Sequence, residues 1–273
     1  MSQINVDEIL PLSGNGVRVS NAFVDLDDAL SSMKITYSGT AVTGVNNTYV
    51  GWGAGAALNN ASNSNTLLGK QAGPNLTSAV NNVFVGSGAG LLSATGASNV
   101  MLGTGAGQLS TNSQNVFVGH IAGGTTTTGE NNIVLGYQSN AATATTSNSI
   151  TLGNSSHNVL RCAVTSITSL SDARDKKEVE DLNVGLEFID GLRPVKFVWE
   201  DREENGKHDI ADFGFIAQDL KAAEDAVEMA DVLKLVYDEN PEKLEASYGK
   251  LIPILVKAIQ ELSAEVKALK ASK

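Results

Sequence analysis

A short unit that recurs seven times constrains the fold of this chain more than any other feature of the sequence. Each unit runs from an asparagine or a serine, through three mostly apolar residues, to a glycine, and the closing glycines lie 18, 17, 17, 16, 17 and 17 residues apart. The units occupy residues 47–51, 65–69, 82–86, 99–103, 115–119, 132–136 and 149–153. A period held over seven units is typical of proteins built from stacked repeats.

One such unit cannot fold alone. Its few apolar residues bury little surface, whereas ordering its Asn, Ser, Thr and Gly residues costs conformational entropy. Stacking pairs the strands of successive units and builds a continuous core, and the glycines permit turns at positive φ. A single column of thin coils would still have a small core and open edges. Because three copies around one axis would cover those edges, we predict a mainly β, homotrimeric shaft of the β-helix or β-roll kind over residues 46–160.

Charge divides the chain near residue 170. Residues 1–170 carry 4 basic and 6 acidic side chains, whereas residues 171–273 carry 15 basic and 24 acidic ones. Neither part has the basic surface that nucleic-acid binding needs, and no apolar run approaches the roughly 20 residues of a membrane-spanning helix. Cys162 is the only cysteine, which excludes an intrachain disulfide or a cysteine-based zinc site. We expect no metal and no cofactor.

The composition predicts four segments: a head over residues 1–45, the shaft over 46–160, a linker over 161–170 and a C-terminal domain over 171–273. In the head, alternating residues predict short strands at 4–6 and 17–19, and the helical spacing of the apolar residues from Phe23 to Met33 predicts a short helix. The head is either a small folded cap or a segment that docks onto a larger assembly. The sequence leaves both open.

Four motifs follow one another in the C-terminal domain. The first is the run Ser-Asp-Ala-Arg-Asp-Lys at residues 171–176, and the second is a short helix pattern over 184–192 that leads into an alternating strand over 193–199. The third, residues 212–220, predicts a strand or turn that enters a helix. The fourth, residues 248–253, opens a helix that runs to the end of the chain. That helix carries a heptad seam for joining copies of the chain, formed by Leu255, Ile259, Leu262, Val266 and Leu269.

In this order and at this spacing, the four motifs resemble the intramolecular chaperone domain of bacteriophage tail fibres and tailspikes, the peptidase S74 family. The resemblance covers residues 171–273 and implies a small α+β domain that ends in a coiled-coil helix. It also implies a trimeric domain that sets the register of the preceding β stem and often releases itself by self-cleavage. Mapped onto this chain, the cut falls between Leu170 and Ser171, with Ser171 as the nucleophile and Lys176 as its base.

A serine-lysine pair can act as nucleophile and base only in a suitable environment. A serine hydroxyl becomes a useful nucleophile when a neighbour takes its proton, and a lysine can do so only where desolvation lowers its pKa. A trimer interface would supply that burial. Lys177 adjoins Lys176, so the family spacing alone selects Lys176.

Other residues match the family motifs with less definite roles. Asp172 and Arg174 belong to the first motif, where they either position the chain or take part in catalysis. Gly214 and Gln218 belong to the third, and Gln218 is expected to bond backbone groups near the reactive loop.

The sequence therefore predicts a structural tail fibre protein of a virion, made in the cytoplasm of a bacterial host. Its expected partners are further copies of itself, other tail or baseplate proteins through the head, and a host cell-surface receptor. We expect at most one self-cleavage per chain as enzymatic activity.

Two other functions were weighed. A tailspike that degrades host polysaccharide is disfavoured because such enzymes use paired carboxylates, and residues 41–160 contain Glu130 as their only acidic side chain. A bacterial trimeric adhesin is disfavoured because the first residues lack the pattern of a signal peptide and no membrane anchor follows.

Overall fold

The computed structural model describes residues 9–11, 17–19, 46–59, 61–157, 159–163, 167–200, 202 and 209–273, and it separates two compact units, Met1–Asn154 and Ser155–Lys273. In the first unit, β1 (Ile9–Pro11) pairs antiparallel with β2 (Val17–Val19). The second strand coincides with the predicted one. The strand predicted at residues 4–6 and the helix predicted from Phe23 to Met33 lie outside the described residues.

Each of the seven repeats contributes one three-residue strand to a single parallel sheet. The strands pair in sequence order and in direct register, so that every coil lies on the one before it. The result is a parallel β-solenoid of about six turns. Its strands are β3 (Thr48–Val50), β4 (Thr66–Leu68), β5 (Val83–Val85), β6 (Val100–Leu102), β7 (Val116–Val118), β8 (Ile133–Leu135) and β9 (Ile150–Leu152).

The core of the solenoid is built from columns of side chains that run along it. In a strand of three residues the middle side chain points to the opposite face from its two neighbours, and here the middle residues of β4 to β8 are buried. A second column, of alanines, faces them from the other side of each coil. The two columns are Leu67, Phe84, Met101, Phe117 and Val134, and Ala54, Ala72, Ala89, Ala106 and Ala122.

The asparagine that opens six of the seven repeats forms a ladder along the solenoid. The backbone N–H of Asn82 donates to Oδ1 of Asn65 at 3.1 Å, and its Nδ2 donates to the same oxygen at 3.0 Å and to the carbonyl of Gly96 at 2.8 Å. Equivalent bonds recur at Asn99 and Asn132. Because buried polar groups are stable only when they are bonded, the ladder explains why this fully buried position is asparagine.

The closing glycines allow the coils to approach each other closely. Gly69 has a φ of +132°, and a Cβ at this position would lie 2.7 Å from the carbonyl carbon and oxygen of Gly86 in the next coil. A side chain would therefore be strained twice, by the backbone angle and by the contact. This geometry accounts for the invariance of the glycine among the seven repeats.

The first and third residues of β3 to β9 point away from the core, and we call the surface that they form the outer strand face. Apart from Thr48 and Thr66, every one of these residues is valine, leucine or isoleucine. Leu68 is 46% exposed and Ile150 is 69% exposed. This aliphatic surface follows the whole sheet, and in the single chain its residues range from half-buried in β6 and β7 to exposed in β9.

The second unit is a small α/β arrangement. Two antiparallel pairs, β10 with β11 and β12 with β13, alternate with four helices, and the last helix packs on the first. Its core contains Val184, Phe188, Leu233, Leu235, Leu251 and Ile254. The elements are α1 (Leu186–Gly191), β10 (Val195–Val198), β11 (Ala211–Gly214), α2 (Ala217–Ala226), α3 (Ala230–Leu233), β12 (Val236–Tyr237), β13 (Glu245–Ala246) and α4 (Leu251–Ala271).

These elements confirm the predicted fold class of the second unit. The predicted helices and strands are present, and Pro253 lies in the first turn of α4, where its missing N–H disturbs no helical bond. Within the described part of the chain, no helix is both long and apolar enough to cross a lipid bilayer.

Candidate functional site

A single 3-10 turn, Ala173–Asp175, organises the segment that begins at Ser171. Asp172 caps it, because its Oδ1 accepts a hydrogen bond from the backbone N–H of Arg174 at 2.9 Å. Aspartate is among the preferred capping residues since its short side chain reaches the free N–H groups of the turn. The chain is extended at Asp172 and again at Lys176, so the turn is isolated between extended segments.

The turn brings Lys176 back to Ser171. Nζ of Lys176 donates to Oγ of Ser171 at 2.6 Å and to the carbonyl oxygen of Ser171 at 3.2 Å. The neighbouring Lys177 instead lies 3.8 Å from the carboxylate of Glu178. The structure thus brings together the serine and the lysine that the sequence paired, and it distinguishes between the two adjacent lysines.

Asp172 and Arg174 form a two-pronged ion pair that closes the turn. Nε of Arg174 donates to Oδ1 of Asp172 at 3.0 Å, and a terminal guanidinium nitrogen donates to Oδ2 at 2.6 Å. The Arg174 side chain, and to a lesser degree its backbone N–H, lowers the pKa of Asp172. The carboxylate in turn raises the pKa of Arg174. In these bonds neither Asp172 nor Arg174 contacts Ser171. The ion pair therefore holds the turn together.

The whole segment is exposed in the single chain. Leu170 is 98% exposed, and every residue from Ser171 to Lys177 is exposed as well. The Ser171 hydroxyl and the Lys176 amino group are therefore in hydrogen-bond contact, but the chain itself does not remove them from water.

Tyr248, in the fourth motif (residues 248–253), contacts Phe215, in the third motif (residues 212–220). Its hydroxyl accepts from the backbone N–H of Phe215 at 3.2 Å and donates to the carbonyl of Phe215 at 3.3 Å, and the two rings pack edge to face at 5.6 Å. A Cβ at Gly214 would lie 2.7 Å from the Tyr248 hydroxyl, so a larger residue here would displace the end of this side chain. Gln218 is exposed on the first turn of α2. The sequence signalled Tyr248 as part of a motif but not this contact.

Helix α4 has two apolar faces. Leu251, Ile254 and Ala258 are buried in the unit, whereas the heptad residues point away from it and remain 41–65% exposed. These exposed residues are Leu255, Ile259, Leu262, Val266 and Leu269.

Glu261 ties α4 to the rest of the second unit. Its Oε2 accepts from the backbone N–H of Leu186 at the start of α1 at 2.7 Å, and its Oε1 lies 3.4 Å from Nζ of Lys257. The bond from Leu186 is the main cause that lowers the pKa of Glu261. Sequence reasoning missed this contact because its two residues lie 75 positions apart.

The fold and this segment together define a class, a chain with a parallel β-solenoid followed by a small α/β unit that contains a Ser-Lys turn. Residues 171–232 match the family model described as chaperone of endosialidase, peptidase S74. This part of the second unit is therefore similar to that family. The match ends before the Tyr248 motif and α4. Comparison with curated proteins and with solved structures gives no match.

Proposed function

We propose that this chain is a structural protein of a bacteriophage tail fibre, which assembles as a homotrimer with the help of its C-terminal unit. The observation that carries the proposal is the partly exposed aliphatic outer strand face in a chain whose residues 171–232 match the chaperone-of-endosialidase family. The fibre would reside in the virion tail, attach through residues 1–45 to other tail or baseplate proteins, and present the shaft to a host cell-surface receptor.

The outer strand face suits a partner of the same kind. Large contiguous apolar patches on a soluble protein mark interaction surfaces. Seven strands spaced about 4.8 Å apart make a face roughly 30 Å long, and it is aliphatic over that whole length. Three copies with these faces turned inward would bury them around one axis and form a second apolar core between the chains.

The heptad seam of α4 supports self-association but does not by itself determine the number of chains. Its 3-4 spacing places Ile252, Ile259 and Val266 at the a positions and leucines at the d positions, a pattern that favours two strands in isolated parallel coiled coils. The number three rests instead on the family and on the geometry of the shaft. The exposed Val256 widens the apolar face at its N-terminal end, as packing against more than one neighbour requires.

Assembly would also complete the Ser171 site. A lysine works as a general base where it is desolvated, and in the single chain Lys176 is exposed. Contacts with neighbouring copies would supply the missing burial, so that cleavage between Leu170 and Ser171 follows assembly. The cut would leave a shaft that persists through a high barrier to unfolding.

The alternative of a polysaccharide-degrading tailspike finds little support in the solenoid. Glu130 is the only acidic residue between positions 41 and 160, and it is exposed, with its backbone N–H donating to Ser147 Oγ at 3.0 Å. Hydrolysis of a glycosidic bond by the common mechanism needs two carboxyl groups flanking one bond.

Light scattering on the purified Ser171→Ala chain, which is expected to stay whole, tests the assembly. This chain is expected to give the mass of three chains, and adding Leu262→Glu, which places a charge in the seam, is expected to shift the population towards single chains. Gln260→Glu in the same background is the matched control, because it adds the same charge to an exposed position outside the seam. A monomeric or dimeric Ser171→Ala chain would contradict the trimer.

Denaturing gels and intact-mass analysis of freshly purified protein test the cleavage. The wild type is expected to yield fragments 1–170 and 171–273, whereas Ser171→Ala and Lys176→Ala are expected to stay whole. Ser169→Ala and Lys177→Ala are matched controls that should cleave like the wild type. A single full-length species in all five samples would refute the protease part of the proposal and leave the chaperone domain as a permanent part of the fibre.

A further inference from the structure

We infer that the solenoid binds an extended glycan chain along a column of side chains that directly follow the closing glycines of the repeats. The inference rests on the proposed role of the shaft in contacting a host cell surface, and it names the site and the chemical class of the receptor. We call these six positions the corner column. All of them are exposed, and they are Trp52, Lys70, Ser87, Thr104, His120 and Tyr137.

Backbone hydrogen bonds hold the corner column in line. The residue after each member donates its N–H to the carbonyl of the member in the coil before, as Gln71 does to Trp52 and Gln138 does to His120, both at 2.8 Å. The same bond, at 2.9 Å, connects the other neighbours and is donated by Gly88, Gly105 and Ile121. Successive members therefore repeat about every 4.8 Å, the spacing of paired strands, which is close to the length of one sugar unit in an extended glycan.

The chemically distinctive side chains of the solenoid are concentrated in this column. Lys70 is the only lysine or arginine between residues 46 and 154, and His120 is the only histidine. Five Phe, Trp and Tyr residues lie in the same range, and three of them belong to the core or pack against it. The other two, Trp52 and Tyr137, are both in the column and are each 58% exposed. Because the core uses none of these four side chains, their alignment on one line points to a ligand.

Each end of the corner column carries a flat π surface. At one end, Nζ of Lys70 lies 5.7 Å from the centre of the Trp52 ring, within the range of a cation–π contact. At the other end, the rings of His120 and Tyr137 stack with centroids 5.3 Å apart and 12° between their planes. Exposed aromatic faces attract the C–H groups that line one face of a sugar ring, and the tyrosine hydroxyl can bond its hydroxyl groups.

The middle of the corner column is low and polar. Ser87 and Thr104 present hydroxyl groups there, which can both donate to and accept from sugar hydroxyls. Each is followed by a glycine, and a Cβ at Gly88 would meet nothing within 4 Å. Lys70 and His120 are three coils apart, so this low stretch spans about 14 Å between the two aromatic ends. A short run of sugar units can lie along it, parallel to the solenoid axis.

Charge and backbone bonding disfavour other extended polymers. A nucleic acid needs a row of cations along its phosphates, and the column offers Lys70 as its single lysine. An extended peptide would pair with a free sheet edge, whereas the backbone along the column is already bonded from coil to coil. A glycan, which binds through ring faces and hydroxyl groups, needs neither.

An array of purified bacterial capsular polysaccharides and O-chains, probed with the purified full chain, tests the inference. The wild type is expected to bind at least one of them. Trp52→Ala and Tyr137→Ala should each weaken that binding about tenfold, because each removes one stacking face. Leu92→Ala is the matched control and should bind like the wild type, since Leu92 is a 47% exposed side chain of the solenoid outside the column. Equal binding by all four proteins would overturn the column as the site and leave a receptor-binding shaft in place.

Tryptophan fluorescence gives an independent measurement. The chain has two tryptophans, Trp52 and Trp199, so in Trp199→Phe the emission reports on Trp52 alone. The polysaccharide that binds on the array should change this emission, and an unchanged emission would overturn the contact.

The mass of the assembly separates this inference from the proposed function. By light scattering in the Ser171→Ala background, the two column variants are expected to keep the mass of their parent. A lower mass would place the column between chains and overturn the glycan site. A trimeric chain that binds no polysaccharide on the array would likewise overturn the inference, while the proposed fibre assembly would stand.

Discussion

Replacing one ladder asparagine by alanine should destabilise the solenoid strongly. Nδ2 of Asn99 donates to Oδ1 of Asn82 at 3.1 Å and to the carbonyl of Asn112 at 2.9 Å, and its Oδ1 accepts from the backbone N–H of Asn115 at 2.9 Å. Asn99→Ala removes all three bonds at a fully buried position. At about 1 kcal/mol net for each bond, with an added penalty for the buried donor left unpaired, we expect a loss of about 3–5 kcal/mol per chain.

Asn75→Ala is the matched control for this substitution. Asn75 lies in the same repeat array, but it is exposed and its Nδ2 makes one bond, to the carbonyl of Leu91 at 2.7 Å. Its loss should change the free energy of unfolding by about 1 kcal/mol or less. Guanidinium unfolding followed by circular dichroism measures both variants, with unfolding rates where refolding is incomplete. Equal effects of the two substitutions would refute a ladder that stabilises the solenoid.

Three further substitutions test separate contacts. Gly69→Ala places a Cβ 2.7 Å from the glycine carbonyl of the next coil at a φ of +132°, so it should lower the guanidinium midpoint of unfolding strongly. Gly88→Ala is the control, because its Cβ meets open space at a φ of +67°, and its effect should be much smaller. Similar midpoints for the two variants would contradict close packing of the coils. Tyr248→Phe removes both bonds to the backbone of Phe215 and should cost about 1 kcal/mol of unfolding free energy, and an unchanged value would show that the contact is dispensable. Because the pKa of Glu261 is lowered in the folded chain, its contribution is present at neutral pH and is lost as pH falls below about 4.3 through the folded pKa. Denaturant unfolding at several pH values should therefore show a stability difference between wild type and Glu261→Gln that shrinks in acid, and a constant difference would refute this linkage.

The solenoid could be predicted from sequence because its period carries the information. The glycines and the alternation of apolar residues fix one strand per repeat, and equal spacing of the repeats leaves stacking as the simplest arrangement. The hydrogen-bond ladder formed by Asn99 and the equivalent asparagines was harder to predict from the sequence. An asparagine before a strand also suits a turn, and only the structure shows that its side chain points inward and bonds the coil before it.

The C-terminal unit could be predicted less completely from sequence. Local patterns predicted its helices and strands, whereas the pairing of Ser171 with Lys176 came from the resemblance to the chaperone family, and the structure places the two side chains in contact. Contacts between distant residues have no local pattern. Two such contacts are the hydrogen bond from Leu186 to Glu261 and the hydrogen bonds between Tyr248 and Phe215. They depend on how the helices and strands pack, and no period or spacing in the sequence encodes that packing.

Near-identical coils create a register problem that the proposed assembly has to solve. If one chain slips against another by a single coil, the outer strand face still presents valine, leucine or isoleucine at almost every position. Slippage therefore removes the contacts of one coil in seven and leaves the rest nearly unchanged, which is a weak energetic signal for correct alignment. Within a chain, the buried middle residues of the strands differ in size, from Val134 to Phe117. They face the core of their own chain, so a slip between chains does not change their contacts. In the proposed assembly, a non-repeating unit at one end of the solenoid would supply the missing reference, because a surface without repeats offers no equivalent slipped position and would fix the first coil from which the others follow.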